Sequence, residues 1–378
     1  MNIPIFKLEF EEEFIREFQE KSKEILTSNR PIGENKYVAE FENKFANLIG
    51  AKYAVAVTSG TAAIDLALRT QNMAGKTVFL PSNTFIATAI AVIDNGGTVA
   101  LVDIEEESFS ISPDALRKEI KLRKKAGEKL GAVLIVHIGG IISPHISEIK
   151  NICEENNMLL IEDAAQAQGS ELNGLRAGTI GSIGCFSFFP TKVMTTAEGG
   201  MLVTNDLTIY ELAKSLKNFG RDLNDIDRMI NKGGTNFKIS EFTGLMGSME
   251  CDRVLSRIKK RSDLAKIYIK RLKNSGYIPV VQKKGNSSWY KMILRTPVER
   301  EWLRKYCKER NITLTGEVYK VPIHQQPAYK DDFKDAKFPV TDAMCISHIC
   351  PPLYPELSPE EINYICDVLI QAEKDYEK

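Results

Sequence analysis

Two charged residues stand out in residues 161–206, a stretch that is otherwise rich in glycine and apolar strand-forming residues. Asp163 comes two residues after the apolar run "MLLI", and Lys192 follows the run "CFSFFPT". A lysine in dry, crowded surroundings can lose its proton and form a Schiff base with an aldehyde. A carboxylate beside a ring nitrogen can keep that nitrogen protonated, which turns the ring into an electron sink. The pair therefore predicts a ring-shaped ligand that is bound by the lysine at one end and by the carboxylate at the other.

Neighbouring predicted strands supply the other groups that such a ligand needs. The strand "YAVAV" leads into "TSGTAAIDLAL", which places Gly60 and Thr61 at a helix N-terminus, where free N–H groups bind phosphate. Phe85 follows the strand "TVFLP" and can stack on a flat ring, and Ser187 lies in the strand "CFSFFP". In open parallel sheets, ligands bind beyond the carboxyl ends of the strands. An aldehyde, a ring nitrogen, a flat ring and a phosphate occur together in pyridoxal phosphate, which is the cofactor that we predict.

Each of these residues also has an ordinary structural interpretation. A lysine after a strand is usually a solvated surface charge, and an aspartate at a strand end is often a helix cap. Ser59 or Thr61 can cap a helix that binds no ligand, and an aromatic residue such as Phe85 is more often part of a core. The prediction depends on finding all of them at strand ends of one sheet.

Composition argues against several other classes of function. The 378 residues include 50 Lys and Arg and 50 Asp and Glu, so charge gives no reason to expect nucleic acid or an anionic membrane as partner. Seven scattered cysteines without a C-x-x-C pair are typical of reduced thiols, and four histidines without ligand spacing argue against a metal site. No apolar run approaches the roughly 20 residues of a membrane helix, and the N-terminus is unlike a signal peptide. We expect a soluble protein of the cytoplasm.

Strands and helices alternate from about residue 50 to residue 205, and they predict how these residues are positioned. The strands are short and rich in Val, Ile and Leu, as is typical of strands covered on both faces in a mainly parallel sheet. Ser112 caps one predicted helix, a long helix begins near Ser240, and Ser358 with Glu361 forms a capping box for the last helix. In the C-terminal part, "ITLTGEVY" has the composition of a further strand.

The predicted fold class is α/β, organised in three segments. Residues 1–30 form an N-terminal helical segment that packs on the smaller lobe. Residues 31–250 form a large cofactor-binding domain around the mainly parallel sheet, and residues 251–378 form a smaller α+β lobe.

Several segments in register resemble one known family. "TSGTAAIDLAL", "PSNTFIATA", "EDAAQAQG", "GCFSFFPTK", "TTAEGGMLVTND", "GTNFKISEFTGLMG" and "VPIHQQPAYK" are similar to motifs of the DegT/DnrJ/EryC1/StrS family. Its members are pyridoxal-phosphate-dependent sugar aminotransferases with the aspartate aminotransferase fold (fold type I). The resemblance runs from about residue 30 to the end of the chain.

The resemblance implies a role for each matching residue. Lys192 resembles the lysine that forms the Schiff base, and Asp163 resembles the partner of the pyridine nitrogen. The other implied cofactor-binding residues are Gly60, Thr61, Phe85, Gln166, Ser187 and Asn236. Asn236 resembles an asparagine that reaches the phosphate of the neighbouring subunit, which implies a homodimer with shared active sites.

The resemblance also implies the substrates. The amino donor is L-glutamate, and the acceptor is a keto-sugar, linked to a nucleotide, whose amino product serves polysaccharide, glycan or antibiotic biosynthesis. Asn218 and Arg221 in "NFGRD" and His324 in "VPIHQQP" are candidate substrate contacts, although His324 fits the role of a satisfied surface or interface histidine equally well.

Departures from the family pattern remove no cofactor contact and bear on the substrate, and two alternative functions stay open. Gln168 stands where the family often has histidine, Ala197 where it often has glycine, and "HIGGIISP" differs from the usual continuation. One alternative is a pyridoxal-phosphate-dependent sugar dehydratase, but some relatives with that activity replace the lysine by histidine, and Lys192 is retained. The other is a non-catalytic, cofactor-binding regulator, against which the missing basic face and DNA-binding domain argue.

Overall fold

The computed structural model describes residues 2–225 and 227–376; residues 1, 226, 377 and 378 of the predicted segments lie outside the described part. The helices are α1 (Glu12–Thr27), α2 (Lys36–Ile49), α3 (Gly60–Thr70), α4 (Ile86–Asp94), α5 (Pro113–Lys125), α6 (Ile146–Glu155), α7 (Leu207–Leu216), α8 (Glu241–Arg271), α9 (Arg300–Lys308), α10 (Pro339–Ile346) and α11 (Pro359–Tyr376). The strands are β1 (Tyr53–Val57), β2 (Thr77–Pro81), β3 (Thr98–Val102), β4 (Leu130–Val136), β5 (Leu159–Asp163), β6 (Glu171–Leu172), β7 (Leu175–Arg176), β8 (Ile183–Ser187), β9 (Gly200–Thr204), β10 (Ile278–Val280), β11 (Ile293–Arg295) and β12 (His348–Ile349).

The central sheet has the strand order β1-β9-β8-β5-β4-β2-β3. Strands β8, β5, β4, β2 and β3 are parallel, whereas β9 is antiparallel to both of its neighbours. Strand β2 is buried along its whole length, with Val78 and Leu80 in one apolar cluster and Phe79 in the cluster on the opposite face. Such burial on both faces is expected of a sheet between two layers of helices. The prediction of an α/β protein with a mainly parallel sheet is confirmed.

This topology brings the carboxyl ends of four strands to one edge of the sheet. Strand β1 has the same direction as β8 because each is antiparallel to β9, which lies between them. The last residues of β1, β2, β5 and β8 are Val57, Pro81, Asp163 and Ser187. The residues that follow these four strand ends therefore share one edge, as the sequence predicts.

The predicted helix caps are confirmed. Ser112 and Ser240 each accept a hydrogen bond, through the side-chain oxygen, from the N–H three residues further on, at 3.3 and 3.2 Å. The N–H of Ser358 donates to Glu361 at 2.9 Å, and the N–H of Glu361 donates to the Ser358 hydroxyl at 3.2 Å. This is a capping box, and it begins α11.

The C-terminal part folds around its own apolar cluster. Strands β10, β11 and β12 form an antiparallel sheet, and residues such as Leu294, Leu303 and Leu369 pack against the end of α8. The strand predicted for "ITLTGEVY", residues 312–319, is wrong. Within the described chain, only Ile312 of this stretch pairs with another segment, at Ile3.

The N-terminal segment contacts both parts of the molecule. Ile3 pairs with Ile312, whereas α1 packs on α2 and on α8, where Phe14 lies near Leu245 and Met249. Residue 250, the predicted boundary between the large domain and the smaller lobe, lies inside the continuous helix α8. The division into segments 1–30, 31–250 and 251–378 stays a prediction. In the described residues, every helix is too short or too polar to span a lipid bilayer.

Candidate active site

Asp163 is the last residue of β5, and its side chain is buried at 5% exposure. The N–H of Ala165 donates to Oδ1 at 3.1 Å, and the Thr88 hydroxyl donates to Oδ2 at 3.2 Å. Burial raises the pKa of Asp163, while the Ala165 N–H and the positive charge of Lys192 act in the opposite direction. Among the described residues no arginine or lysine forms an ion pair with this carboxylate, so it can still accept a cationic partner.

Lys192 lies in the connection between β8 and β9, and it is half-buried. Its N–H donates to the carbonyl oxygen of Phe189 at 2.9 Å, which forms a tight turn. Its Nζ lies 4.8 Å from the ring centroid of Tyr290, a residue of the C-terminal part of the chain. Burial raises the pKa of the Tyr290 phenol, but the positive charges of Lys192 and Lys291 oppose this effect, and the net pKa is lowered. The amine of Lys192 therefore lies over an aromatic ring from a distant part of the chain.

The start of α3 lies against the end of β8. The Ser59 hydroxyl accepts the N–H of Ala62 at 3.0 Å, and the N–H groups of Gly60 and Thr61 lie in the first turn, where no helix carbonyl can accept them. A Cβ atom on Gly60 would lie 2.7 Å from Cβ of Ser187, so only glycine permits this approach. The result is a group of N–H and hydroxyl donors suited to a phosphate.

Two glutamines hold the residues around this group. Gln168 is fully buried and donates from Nε2 to the carbonyl oxygen of Ser187 at 2.6 Å. Gln166 accepts the N–H of Gly139 at 2.7 Å and donates from Nε2 to the Tyr319 hydroxyl at 2.7 Å. Phe85 is 57% exposed, and its ring centroid lies 6.3 Å from that of Tyr319. An exposed aromatic face at the mouth of the site is available for stacking.

Three predicted site residues form no direct contact with Asp163 or Lys192 in the described chain, although His324 is bonded to Ser82, which directly follows β2. Asn236 is exposed in a segment that is bridged to Asn218, and Arg221 is half-buried with its guanidinium 5.8 Å from the ring centroid of Phe219. Nδ1 of His324 is hydrogen-bonded to the Ser82 hydroxyl at 2.5 Å, and Nε2 is hydrogen-bonded to Oδ1 of Asp342 at 2.8 Å. Within the described chain, no hydrogen bond or ion pair connects these three to Asp163 or Lys192. Their roles stay predictions.

A protein-family model settles the class to which the chain belongs. The model of the DegT/DnrJ/EryC1/StrS aminotransferase family matches residues 12–370. The chain belongs to this family. The predicted family, fold class, aminotransferase activity and pyridoxal phosphate cofactor are confirmed.

Similar family members include proteins with assigned names. GDP-perosamine synthase of Escherichia coli O157:H7 is 31% identical over 352 residues, which cover 92% of this chain and 93% of that protein. The dTDP-3-amino-3,6-dideoxy-alpha-D-galactopyranose transaminase of Aneurinibacillus thermoaerophilus is 30% identical over 360 residues and 94% of each chain. An X-ray structure of DesV from S. venezuelae has a TM-score of 0.87, with 28% identity and 96% of each chain covered.

Pyridoxal phosphate fits the residues at this family member's strand ends. The buried carboxylate of Asp163 has no cationic partner among the described side chains, and a protonated ring nitrogen would supply one. The close approach at Gly60 leaves helix N–H groups and the Ser187 hydroxyl together, which is a suitable donor set for a phosphate. Lys192 is the amine whose charge acts on Asp163.

Sequence reasoning missed three side chains around the site. Thr88 lies three residues after Phe85, in the first turn of α4. Helix periodicity alone therefore indicates that it lies on the same face as Phe85. Tyr290 and Tyr319 come from the C-terminal part of the chain, more than 90 residues beyond Lys192. No local pattern predicts that they reach the strand ends, because their position depends on how the two parts of the chain pack.

Proposed function

We propose that this aminotransferase moves an amino group from L-glutamate to a nucleotide-linked keto-sugar. The observation that carries the proposal is that Asp163 ends β5 and Lys192 follows β8, the parallel neighbour of β5, so that both lie at one sheet edge. The names of the two relatives support the acceptor class, since one refers to a GDP-sugar and the other to a dTDP-sugar. The amino sugar product would enter polysaccharide, glycan or antibiotic biosynthesis.

Each residue of the cluster has a proposed part in holding the cofactor. Lys192 Nζ would bind the aldehyde carbon, and Asp163 would hold the proton on the ring nitrogen. The remaining contacts would come from the N–H groups and hydroxyls of Gly60, Thr61 and Ser187 to the phosphate, the ring of Phe85, and the amide of Gln166. A cationic ring nitrogen next to Asp163 would counteract the burial that raises its pKa, and it would favour the ionised carboxylate.

Lys192 also has the proposed role in proton transfer. When bound, pyridoxal phosphate supplies an electron sink for the electrons of the donor's Cα–H bond. The free Nζ of Lys192 would take the proton from the donor's Cα and deliver it to the aldehyde carbon of the cofactor. Tyr290 covers Nζ with its ring at 4.8 Å, which limits access of water to the amine.

A homodimer with shared sites is the proposed assembly. Asn236 is exposed and therefore free to reach a second subunit. Next to its bridge partner Asn218, the segment 219–230 exposes large apolar side chains, including Phe219 at 45% and Met229 at 56%. Burial of such side chains between two copies would stabilise a dimer. Arg221, in the same segment, and His324 are proposed to contact the sugar nucleotide.

The cytoplasm is the proposed location. All seven cysteines are buried and unpaired, as expected in a reducing compartment.

Replacement of Lys192 tests the proposal directly. Lys192→Ala should remove the visible absorption of the bound cofactor and the half-reaction with L-glutamate, while urea unfolding stays cooperative. Wild-type enzyme should then aminate at least one member of a panel of nucleotide-linked keto-sugars, with products identified by mass spectrometry. Absorption and half-reaction that persist in Lys192→Ala would exclude the lysine, and formation of dehydrated products instead of amino sugars would favour a dehydratase.

A further inference from the structure

The loop that carries Lys192 is closed by hydrogen bonds to its own first residue. The carbonyl oxygen of Phe188 accepts the N–H of Thr196 at 3.0 Å and the hydroxyl of Thr195 at 2.9 Å. The Thr195 hydroxyl in turn accepts the N–H of Ala197 at 3.0 Å. The N–H of Thr195 is not used within the loop, and it points to a different element of the fold.

That N–H donates to a buried carboxylate on α8. Glu250 is fully buried, and its Oε2 accepts the Thr195 N–H at 3.2 Å. The same oxygen accepts Nη1 of Arg257 at 2.9 Å, seven residues further along the helix and hence on the same face. Burial raises the pKa of Glu250, and the charge of Arg257 acts in the opposite direction. Nη1 of Arg253 lies 3.5 Å from the other oxygen, Oε1, so the buried carboxylate is paired with two arginines of its own helix.

Arg257 is itself held in place by the N-terminal segment. Its Nη2 donates to the carbonyl oxygen of Glu9 at 3.4 Å, and its guanidinium lies 5.9 Å from the ring centroid of Phe10. The side chain is 8% exposed. The carboxylate of Glu250 therefore contacts arginines on one side and accepts a hydrogen bond from the lysine loop on the other.

We propose that Glu250 is a positioning residue for Lys192, acting through the N–H of Thr195. The two loop positions are three residues apart, and the residues between them, Val193 and Met194, are buried. The hydrogen bond thus fixes the C-terminal side of the turn that presents Nζ to the cofactor site. The inference depends on the proposed role of Lys192 as the cofactor-binding amine.

Two substitutions at Glu250 and a matched pair at Glu241 test this role. Glu250→Ala removes the acceptor, whereas Glu250→Gln keeps an oxygen for the Thr195 N–H. Glu241 lies on the same helix, is 3% exposed and accepts N–H groups of Asn35, Tyr37 and Val38, away from the lysine loop. Glu241→Ala and Glu241→Gln therefore reproduce the loss of a buried carboxylate without touching residues 188–199.

Amide hydrogen exchange of residues 188–199 in the full-length, cofactor-free chain is the first measurement. The second is the rate at which visible absorption develops after pyridoxal phosphate is added. We expect Glu250→Ala to accelerate the exchange and to slow cofactor attachment by roughly tenfold each, the effect of losing one hydrogen bond to a charged group. Glu250→Gln should stay within about threefold of wild type in both, and both Glu241 variants should leave both values unchanged, even where they lower stability.

The result that overturns the proposal is wild-type exchange and attachment in Glu250→Ala, or equal changes in Glu241→Ala. If Glu250→Ala does not fold, Glu250→Leu takes its place as a variant of similar volume without an acceptor, and wild-type exchange of the loop in that variant contradicts the proposal. Exchange in the cofactor-free chain does not depend on Lys192 chemistry. A failure of the proposed function, seen in Lys192→Ala, is therefore distinguishable from a failure of this inference.

Discussion

Replacement of Gly60 by alanine should weaken cofactor binding by a predictable amount. The new Cβ would lie 2.7 Å from Cβ and 3.3 Å from Cα of Ser187, whereas carbon atoms in contact are about 3.5–4.0 Å apart. The start of α3 must therefore move by roughly 1 Å relative to β8. A shift of this size costs about 1–3 kcal/mol in packing. It also misaligns at least one donor to the phosphate, worth about 1.5–3 kcal/mol.

The loss of a phosphate donor corresponds to roughly 10- to 100-fold weaker binding of pyridoxal phosphate by Gly60→Ala. Equilibrium titration followed by absorbance measures the affinity, and urea unfolding measures the stability. Gly33→Ala is the matched control, since a Cβ there would meet no atom within 4 Å. It should change neither value.

A double-mutant cycle locates the cause of the Gly60 effect. Ser187→Gly removes the atoms nearest to the new Cβ, so Gly60→Ala should cost less in that background than in wild type. The reasoning is refuted if Gly60→Ala binds the cofactor within about twofold of wild type, or if its cost is the same in both backgrounds.

Three further predictions concern charge and assembly. Because burial raises the pKa of Asp163, the cofactor-free protein should lose stability as pH rises above about 4, the unfolded value, and Asp163→Asn should reduce this loss in urea unfolding at several pH values. Burial lowers the pKa of His348 to about 4, so the NMR signals of its ring should stay those of the neutral form at pH 5.5. The free energy of unfolding should decrease as the pH falls from about 6.5, the unfolded pKa, towards 4, and His348→Gln should make this decrease smaller. Lys192→Ala and Asn236→Ala, each expected to be inactive alone, should regain activity when they are mixed, unfolded and refolded together, if the sites are shared. Half of the randomly formed dimers contain one copy of each variant, and each such dimer has one intact site of two, so up to about a quarter of wild-type activity should return. Mixed dimers that are verified but inactive would contradict shared sites.

The sequence predicts the elements of the large domain well because their signals are local. Strand composition and caps such as Ser112 and Ser240 depend on a few neighbouring residues, and the structure has them as predicted. Strand partners are not local. Strand β9 inserts antiparallel between β1 and β8, and nothing in "GMLVT" specifies those neighbours.

The wrong strand prediction for "ITLTGEVY" has a physical cause. The stretch alternates apolar and polar residues, but Gly316 adopts a φ of +84°, which interrupts an extended strand. Further on, the N–H of Val318 donates to Nε2 of His348 at 3.2 Å and not to a neighbouring strand. Composition alone cannot distinguish a strand from an extended segment whose hydrogen bonds go to side chains.

The candidate site divides in the same way. Asp163, Lys192 and the start of α3 follow from strand ends, which the sequence reveals. Tyr290 and Glu250 could not be predicted, because each reaches the site only through the packing of distant segments. Tyr290 contacts Nζ of Lys192, and Glu250 accepts a hydrogen bond from the loop that carries Lys192.

Helix α8 restricts how the C-terminal part can move relative to the central sheet. It runs without a break for 31 residues, about 46 Å at 1.5 Å per residue. Near its start Glu241 is bonded to the backbone of α2, and further along Arg261 donates to the carbonyl oxygens of Trp289 and Leu353. The helix is thus hydrogen-bonded to α2 near its start and to the C-terminal part of the chain further along, which opposes rotation of that part relative to the sheet. Rotation of the C-terminal part against the sheet would therefore have to bend α8 or break one of these two sets of hydrogen bonds.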